Sequence, residues 1–503
     1  MFILAAPIQI AMVQSIPILF ASGILFAMLT LINTNLMQPP IAPVGLEYVA
    51  SAAIQAGIDV DILDLCLLGH PQQALEGYLR SHCPILIGLS FRNNDDCFWP
   101  SAQWFGPVLA DIVAAIRRHR DAPIVLGGVG LSIFARSLLE YSGAEYAIRG
   151  DGESAIVELY RCICGRADLR RVPGLLYRDG NRVICNSPAW QPGLSIRTDR
   201  SVIDNRTYFQ KGGQIGIETK RGCNRSCTYC ADPLAKGTAL RLRSPSEVAD
   251  EVEALLGQGI DVLHTCDCEF NIPYDHAIAV CQEFINRGLG DKVRWYAYLA
   301  VEPLDAQLAV LMRKAGCVGI DFTTDAACPQ MLKAYGHSYG PEQISSAVRL
   351  CKEQGMVVMT DLLLGGPGET VQTLCQTIDN IKLAGPDAVG AGMGVRIYPN
   401  TPLESLLRSV GPLESNPGIC RRYDGPIDLT RPTFYISPAL GPDPAGLVHS
   451  VVGQDPRFFL PTKQGDSAQA RDHNYNANME LAKAIQAGAR GAYWHILLQL
   501  RTN

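Results

Sequence analysis

Short apolar runs alternate with longer amphipathic stretches over most of this chain. An apolar run at 29–33 leads to a helix-period segment at 44–55, which Gly57 closes. Further apolar runs fall at 60–65, 85–90, 124–126 and 146–148, with a helical pattern at 72–80. Strands separated by helices imply βαβ units, a parallel sheet and right-handed crossovers. A hairpin pattern at 174–183 lies in a Pro-containing connector, 165–212, after which the alternation resumes. Strands are expected at 215–218, 262–265, 293–298, 319–323, 357–363 and 391–397, with helices at 274–286, 305–314, 341–353 and 371–384. Ser244, Pro245 and Glu247 read as an N-cap, first helical residue and capping box for one more helix, stopped by Gly259. About six βα units make a partial barrel with its chemistry at the carboxyl ends of the strands. Beyond 402 the periodicity weakens, 411–470 is rich in Pro and Gly, and a last helix is expected at 476–486.

The expected fold is therefore α/β: a Rossmann-like domain, a partial TIM-type (β/α) barrel and a small carboxyl-terminal region. The limits read as 28–190, 191–410 and 411–503, preceded by an apolar extension, 1–27. That extension is apolar enough to raise a membrane or signal reading. It lacks a basic start, and Pro7, Gln9, Gln14 and Pro17 interrupt it, so a dispensable extension is the better reading.

Composition narrows the class. With 503 residues, 48% hydrophobic and 18% charged, the chain is globular and multidomain. A net charge of −6 without a basic tract excludes a nucleic-acid backbone as partner. Seventeen cysteines, an odd number, sit mostly alone in apolar segments, as Cys66, Cys281 and Cys351 do. Free thiols of this kind suit a reducing, cytoplasmic setting rather than a disulfide framework.

Ligands of open α/β sheets bind beyond the carboxyl ends of the strands. Those ends carry Ser90-Phe91-Arg92, Gly127-Gly128 and Gly150-Asp151-Gly152-Glu153. No Gly-x-Gly-x-x-Gly follows the first strand, which removes the main support for a dinucleotide. Glycines there either admit a bulky ligand or simply turn the chain.

The densest chemistry is Cys223-x3-Cys227-x2-Cys230, at the end of the first barrel strand. A structural zinc site takes four protein ligands, and so does an electron-transfer [4Fe–4S] cluster. Three thiolates leave one metal corner open. At this loop the chain resembles the radical S-adenosylmethionine (radical SAM) superfamily, with Cys223, Cys227 and Cys230 on its cluster motif and Tyr229 on its aromatic position. The segment Asp361 to Thr370, containing Gly365 and Gly366, resembles the fifth-strand signature that lies near the adenine. Where the superfamily offers Gly-Gly-Glu to the methionine ammonium, this chain has Asp267-Cys268-Glu269. The resemblance leaves Glu269 two roles, that ammonium contact or a ligand to the open iron. Thr323 and Asp325 fall where ribose contacts or helix caps are expected.

A Rossmann-like domain before such a barrel resembles the cobalamin-binding subclass, a likeness spanning roughly 28–410. It implies that Ser90, Gly127 and Gly128, with Glu153, receive cobalamin. No histidine occurs in 33–45, so cobalt is expected without protein histidine below it, and Arg92 is the candidate for the lower corrin face. An ion pair of Arg92 with Asp95 or Asp96 is the alternative. Tyr296 and Tyr298 alternate along one strand and both point to the lumen on a period of two. Arg396, Tyr398 and Asn400 are expected to end the last barrel strand, and the clusters 473–478 and 491–495 to cap the cavity. Cys266 and Cys268 are a candidate second thiol site.

Together these features imply a cobalamin-dependent radical SAM methyltransferase acting on a carbon or phosphorus centre of a small molecule, fed by an external flavodoxin- or ferredoxin-type donor. If Glu269 fills the open iron, a polar methyl transfer to a nucleophilic carbon is favoured over a radical route. The alternatives are a cyclase or rearrangement enzyme of the same subclass, without net methyl transfer, and a non-catalytic cobalamin or metal sensor.

Overall fold

The structure, a computed structural model, describes residues 28–188, 190, 193–462 and 478–502, together with two paired strands, Ile18–Phe20 and Gly23–Leu25. The expectations for the rest of 1–27 and for 473–477 lie outside the described residues.

The first sheet is built from β1 (Met28–Asn33), β2 (Asp59–Asp64), β3 (Leu86–Ser90), β4 (Ile124–Gly127) and β5 (Tyr146–Ile148), all parallel. A hairpin of β6 (Leu175–Asp179) and β7 (Arg182–Cys185) extends it antiparallel, giving the order β2-β1-β3-β4-β5-β6-β7. The central strands are nearly unbroken apolar runs because helices cover both faces.

The second sheet is parallel throughout: β8 (Ile215–Ile217), β9 (Val262–Thr265), β10 (Arg294–Leu299), β11 (Cys317–Asp325), β12 (Val357–Leu364), β13 (Ala388–Met393) and β14 (Phe458–Phe459), paired in that order. Its helix-facing residues, including Trp295, Ile320, Phe322 and Val358, form the largest core. The last expected strand, 391–397, is really two. β13 stops at Met393, Gly394 turns at φ 90°, and Val395–Arg396 joins a separate three-stranded sheet with Thr433–Tyr435 and Ile419–Arg421. Arg396 therefore does not end a barrel strand. It is buried against Asp95, with Nη2 donating to Oδ2 at 3.0 Å, and ties the small sheet to the loop after β3.

Helices Met479–Gln486 and Tyr493–Thr502 close the amino-terminal end of the barrel. Trp494, Leu481 and Ile485 pack there on Val262, Tyr296, Met359 and Ala388, which lie early in their strands. The 491–495 cluster thus seals the barrel floor instead of capping its mouth. Its Gly491 lies against Tyr296, leaving no room for a Cβ.

A buried charge network joins the two sheets. Arg200 donates from Nε to Glu47 Oε2 and from Nη1 to Glu251 Oε1, both at 2.6 Å. Arg243 Nη1 reaches Glu251 Oε2 at 2.6 Å, and the Tyr48 hydroxyl donates to Oε1 of Glu251 at 2.8 Å. Burial would depress the Arg200 guanidinium, but the two carboxylates outweigh it and hold it above its ordinary range. Helix Val44–Gln55 of the first domain is thereby fixed to helix Pro245–Gly257 of the second. That second helix begins where the sequence predicts, yet the capping box does not form. Ser244 lies 2.8 Å from the Ser246 hydroxyl, and Glu247 instead accepts from Ser195 at 2.8 Å.

Candidate active site

The cysteine loop leaves β8 through Lys220–Arg221, and its shape is set by backbone contacts. Gly222 has φ 91° and sits so close to the Ala239 carbonyl that a Cβ would come within 2.1 Å of it. The amide of Cys223 donates to Gly237 O at 3.1 Å and that of Thr228 to Tyr335 O at 3.0 Å. Tyr229 stands edge-on to Tyr335 and donates its hydroxyl to Asp325 Oδ2. His337 holds the same oxygen, so Asp325 anchors the loop to the end of β11. Burial pushes the Cys227 thiol up to about 12. Cys223 moves the other way, to about 6, chiefly through the neighbouring Cys268.

Among the described residues, no three His, Cys, Asp or Glu side chains converge on a single-ion position. Separate sulfurs on one loop are what the corners of a polynuclear cluster require.

Glu269 follows β9 and faces the same space. Thr323 donates to its Oε1 at 2.8 Å, while Oε2 is buried without a partner. Burial lifts this carboxyl to about 8, against the pull of the Thr323 hydrogen bond and Arg225. An orphaned buried carboxylate oxygen beside Cys223 and Cys227 fits a positively charged centre. Asp267 is spent differently, accepting from Thr219 N at 2.8 Å and from Thr219 Oγ1 at 2.6 Å to fix the turn into the loop.

Past β12, Gly365 has φ 93° and donates its amide to the buried Glu369, the turn-fixing acid of the signature. Gly366 is bare because a Cβ would fall 2.2 Å from the Tyr335 hydroxyl.

The facing rim belongs to the first sheet. A cavity of about 310 Å³ lies between the loop after β1 and the loop after β3, lined by Asn35, Met37, Phe91, Arg92, Asn93 and Phe105 among others. The expected alternative for Arg92 is not realised, since Asp95 pairs with Arg396 and Asp96 accepts from Ser101. No ion pair engages Arg92 among the described residues, and its charge acts on Tyr298 and Cys266 across the mouth of the barrel. Ser90 ends β3, its carbonyl held by the Thr34 hydroxyl at 2.8 Å.

The two glycines after β4 differ. A Cβ on Gly127 would have only the Leu89 carbonyl at 4.0 Å, so its surface stays open. Gly128, at φ 105°, lies against the Phe91 carbonyl, where a Cβ would come within 2.5 Å. Its bareness serves the chain's own packing. Glu153 is likewise taken up, by both guanidinium nitrogens of Arg221 at 2.7 and 3.0 Å. Burial alone would raise Glu153, but Arg221 outweighs it and brings it below the usual carboxylate range. Thr323 and Asp325 are engaged with Glu269, Tyr229 and His337 rather than left free for a ribose.

Tyr296 and Tyr298 share the inner face of β10 but do different work. Tyr296 belongs to the floor, its hydroxyl 2.9 Å from Nδ1 of His495 and its ring edge-on to Trp494. Tyr298 stands one layer higher, its ring centroid 5.0 Å from that of His264, with Asp321 and Asp361 acting on it. Asp321 is not singled out by the sequence and Asp361 only as the start of the signature segment, although an acid in the middle of an apolar strand is a visible signal. Cys266 and Cys268 do not form a joint site. Cys266 lies against Gly216, and the Cys268 thiol donates to Asp232 at 2.8 Å.

A three-thiol loop and an orphaned carboxylate thus lie at the strand ends of one parallel sheet, and a histidine-free cleft at the strand ends of the other. Such a pairing suits an enzyme with two cofactors. Family models agree: the radical SAM superfamily matches residues 217–381 and the B12 binding domain matches 33–160. A tryptophan 2-C-methyltransferase of Streptomyces laurentii is 30% identical, over 92% of this chain and 94% of that protein. The structure of the radical S-adenosylmethionine methyltransferase TsrM from Kitasatospora setae, with tryptophan and a SAM analogue bound, superimposes with a TM-score of 0.88 at 29% identity, covering 95% of this chain and 98% of that one. An anaerobic magnesium-protoporphyrin IX monomethyl ester cyclase of Cereibacter sphaeroides is 30% identical over a smaller share, 56% of this chain and 48% of that protein. The chain belongs to the cobalamin-dependent radical SAM methyltransferases. The cofactors expected from the sequence, a [4Fe–4S] cluster, S-adenosylmethionine and cobalamin, are those of this family. No described helix is long and apolar enough to cross a membrane.

Proposed function

We propose that this enzyme methylates a nucleophilic ring carbon of an indole amino acid, of the tryptophan class, by a polar route. The observation that carries the polar route is the unpartnered Oε2 of Glu269, aimed beside the cysteine loop and steadied through Oε1 by Thr323. The indole class rests on the similarity to the tryptophan 2-C-methyltransferase over nearly the full length of both chains.

In this reading Cys223, Cys227 and Cys230 would hold the cluster, with Glu269 beside the corner that three thiolates leave open. When bound, cobalamin supplies a nucleophilic cobalt and S-adenosylmethionine the methyl group it takes up. Arg92 would place a fixed positive charge in the cleft that receives cobalamin, which favours the electron-rich state of cobalt. The turn fixed by Glu369 at Gly365 would lie against the adenosine. Arg396 and Asp95 hold the loop that carries Arg92. The barrel floor excludes water from below. An external donor of the flavodoxin or ferredoxin type recharges the cofactors. The all-free cysteines among the described residues suit a cytoplasmic setting.

The test is anaerobic incubation of the reconstituted enzyme with tryptophan and methyl-labelled S-adenosylmethionine. The expected result is a product one methylene heavier, carrying the label on the indole ring, with S-adenosylhomocysteine and no 5′-deoxyadenosine. Stoichiometric 5′-deoxyadenosine would overturn the polar route, and a product without added mass would favour the cyclase class.

A further inference from the structure

One layer below Glu269, the lumen holds a group of acceptors that the two cofactors do not use. Asp321 on β11 and Asp361 on β12 face inward from neighbouring strands. Asp321 is 2% exposed, and the Oδ1 atoms of both carboxyls meet no donor. Burial comes first in raising both, the neighbouring Asp361 adds to it for Asp321, and Asp361 itself is lifted to about 7. The single proton they share is the nearest thing to a partner either one has.

Gly390 on β13 is bare for this purpose. A Cβ there would fall 2.0 Å from Asp361 Oδ1, so the missing side chain is the space the carboxylate occupies. On the opposite wall His264 donates Nδ1–H to the Thr265 carbonyl at 2.8 Å. Burial keeps that imidazole neutral, which leaves Nε2 as an acceptor. Tyr298 stacks at a tilt over His264 and completes the layer.

Two carboxyls thus lie side by side next to the Tyr298 phenol, each with one buried oxygen unpartnered and no cation between them. Leaving such a group uncompensated is costly, since an unpaired buried acceptor forfeits its hydration. A metal ion is not the missing partner, because no three ligating side chains among the described residues converge on one. An indole N–H offers one donor and no charge. An ammonium offers three donors and the full positive charge that two carboxyls call for.

We propose that Asp321 and Asp361, with the Tyr298 hydroxyl, seat the α-ammonium group of the substrate. This rests on the reading of the substrate as an amino acid. Asp321 and Asp361 each lie two residues before a mouth-level residue on the same strand, Thr323 and Leu363. The seat is therefore roughly 7 Å below the Glu269 layer, about the reach of an amino-acid side chain. The ammonium anchors deep in the barrel and the ring is presented at the mouth, toward the cobalamin cleft.

The experiment uses holoenzyme and three probes: L-tryptophan, tryptamine, which keeps the ammonium, and indole-3-propionate, which lacks it. Dissociation constants are read by equilibrium dialysis, and KM and kcat from methylated product. Wild type is expected to bind tryptophan and tryptamine about 10- to 100-fold more tightly than indole-3-propionate. Asp361→Asn and Asp321→Asn should each erase most of that preference while leaving indole-3-propionate within about twofold, which also shows the variants folded. The proposal is overturned if both variants keep the wild-type preference, or if all three probes weaken together. If wild type binds none of the indole probes, the substrate reading fails by itself. Leucine against its desamino acid, 4-methylpentanoate, then tests the seat: loss of an ammonium preference in Asp361→Asn upholds it, and no preference in wild type sinks it.

Discussion

Thr323 donates its hydroxyl to Oε1 of Glu269 over 2.8 Å and leaves Oε2 pointing, unpartnered, toward the cysteine loop. One threonine on β11 therefore decides which oxygen of the carboxylate that follows β9 is left unpartnered. Thr323→Val should keep the cluster, because the three cysteines are untouched, but should slow methylation about 10- to 100-fold. The accompanying sign is a changed electron paramagnetic resonance spectrum of the reduced cluster. An unaltered spectrum would mean that Thr323 does not orient the ligand.

On the proposed reading, Glu269→Ala opens the corner that Glu269 would fill. S-adenosylmethionine can then chelate the exposed iron, and reduced enzyme should release 5′-deoxyadenosine where wild type releases none. Chromatography of quenched reactions reads this directly, with iron content as the control for an intact cluster.

Removing the charge of Arg92 should act on cobalt more than on binding. Arg92→Met is expected to retain cobalamin, since most of the cleft is backbone and apolar surface, but to make the most reduced state of cobalt harder to reach. Potentiometric titration followed by visible absorption would show a midpoint shifted to more negative values.

The domain joint is open to test without any cofactor. Arg200→Met leaves Glu47 and Glu251 buried without their shared guanidinium, and unpairing a buried charge costs about 3–5 kcal/mol. Chemical denaturation of the apoprotein should move to lower denaturant by a corresponding amount. A change within error would mean that Arg243 and Tyr48 are sufficient to compensate Glu251.

Glu369 supplies a dependence on pH. Burial raises it to about 7, against the amides of Gly365 and Gly366, which pull it down. Its folded value thus lies above an unfolded carboxyl near 4.5, and the folded state holds the proton more firmly. The stabilisation is complete below the unfolded value and is lost as pH rises through about 7, a change of about 3 kcal/mol for one group. Thermal unfolding of the apoprotein should fall between pH 4.5 and 8, and Glu369→Gln should flatten that fall. An unchanged slope in the variant would assign it to other carboxyls, such as Asp361.

Much of this architecture is legible in the chain because a strand buried on both faces leaves an unmistakable apolar run, as at 86–90 or 357–363. The cysteine spacing is legible for a similar reason, since a loop must carry its ligands close together in sequence. What stays hidden depends on pairs distant in sequence. Asp321 and Asp361 become a site only once β11 and β12 are set in register. Ser244 and Glu247 spell a capping box, yet Ser195, brought alongside by the connector, draws Glu247 away. The apolar run 391–397 conceals a change of sheet that one glycine, Gly394, accomplishes. Arg92 was readable as a cation near the cleft, but its freedom from Asp95 follows from Arg396, some three hundred residues later.

The floor made by Tyr296, Trp494 and His495 turns the barrel into a blind alley. With that end packed shut, the proposed substrate seat can be reached only from elsewhere in the barrel. If entry is from the cobalamin side, a deeply seated acceptor would have to arrive before the donor, and spent S-adenosylhomocysteine would delay release of the methylated product.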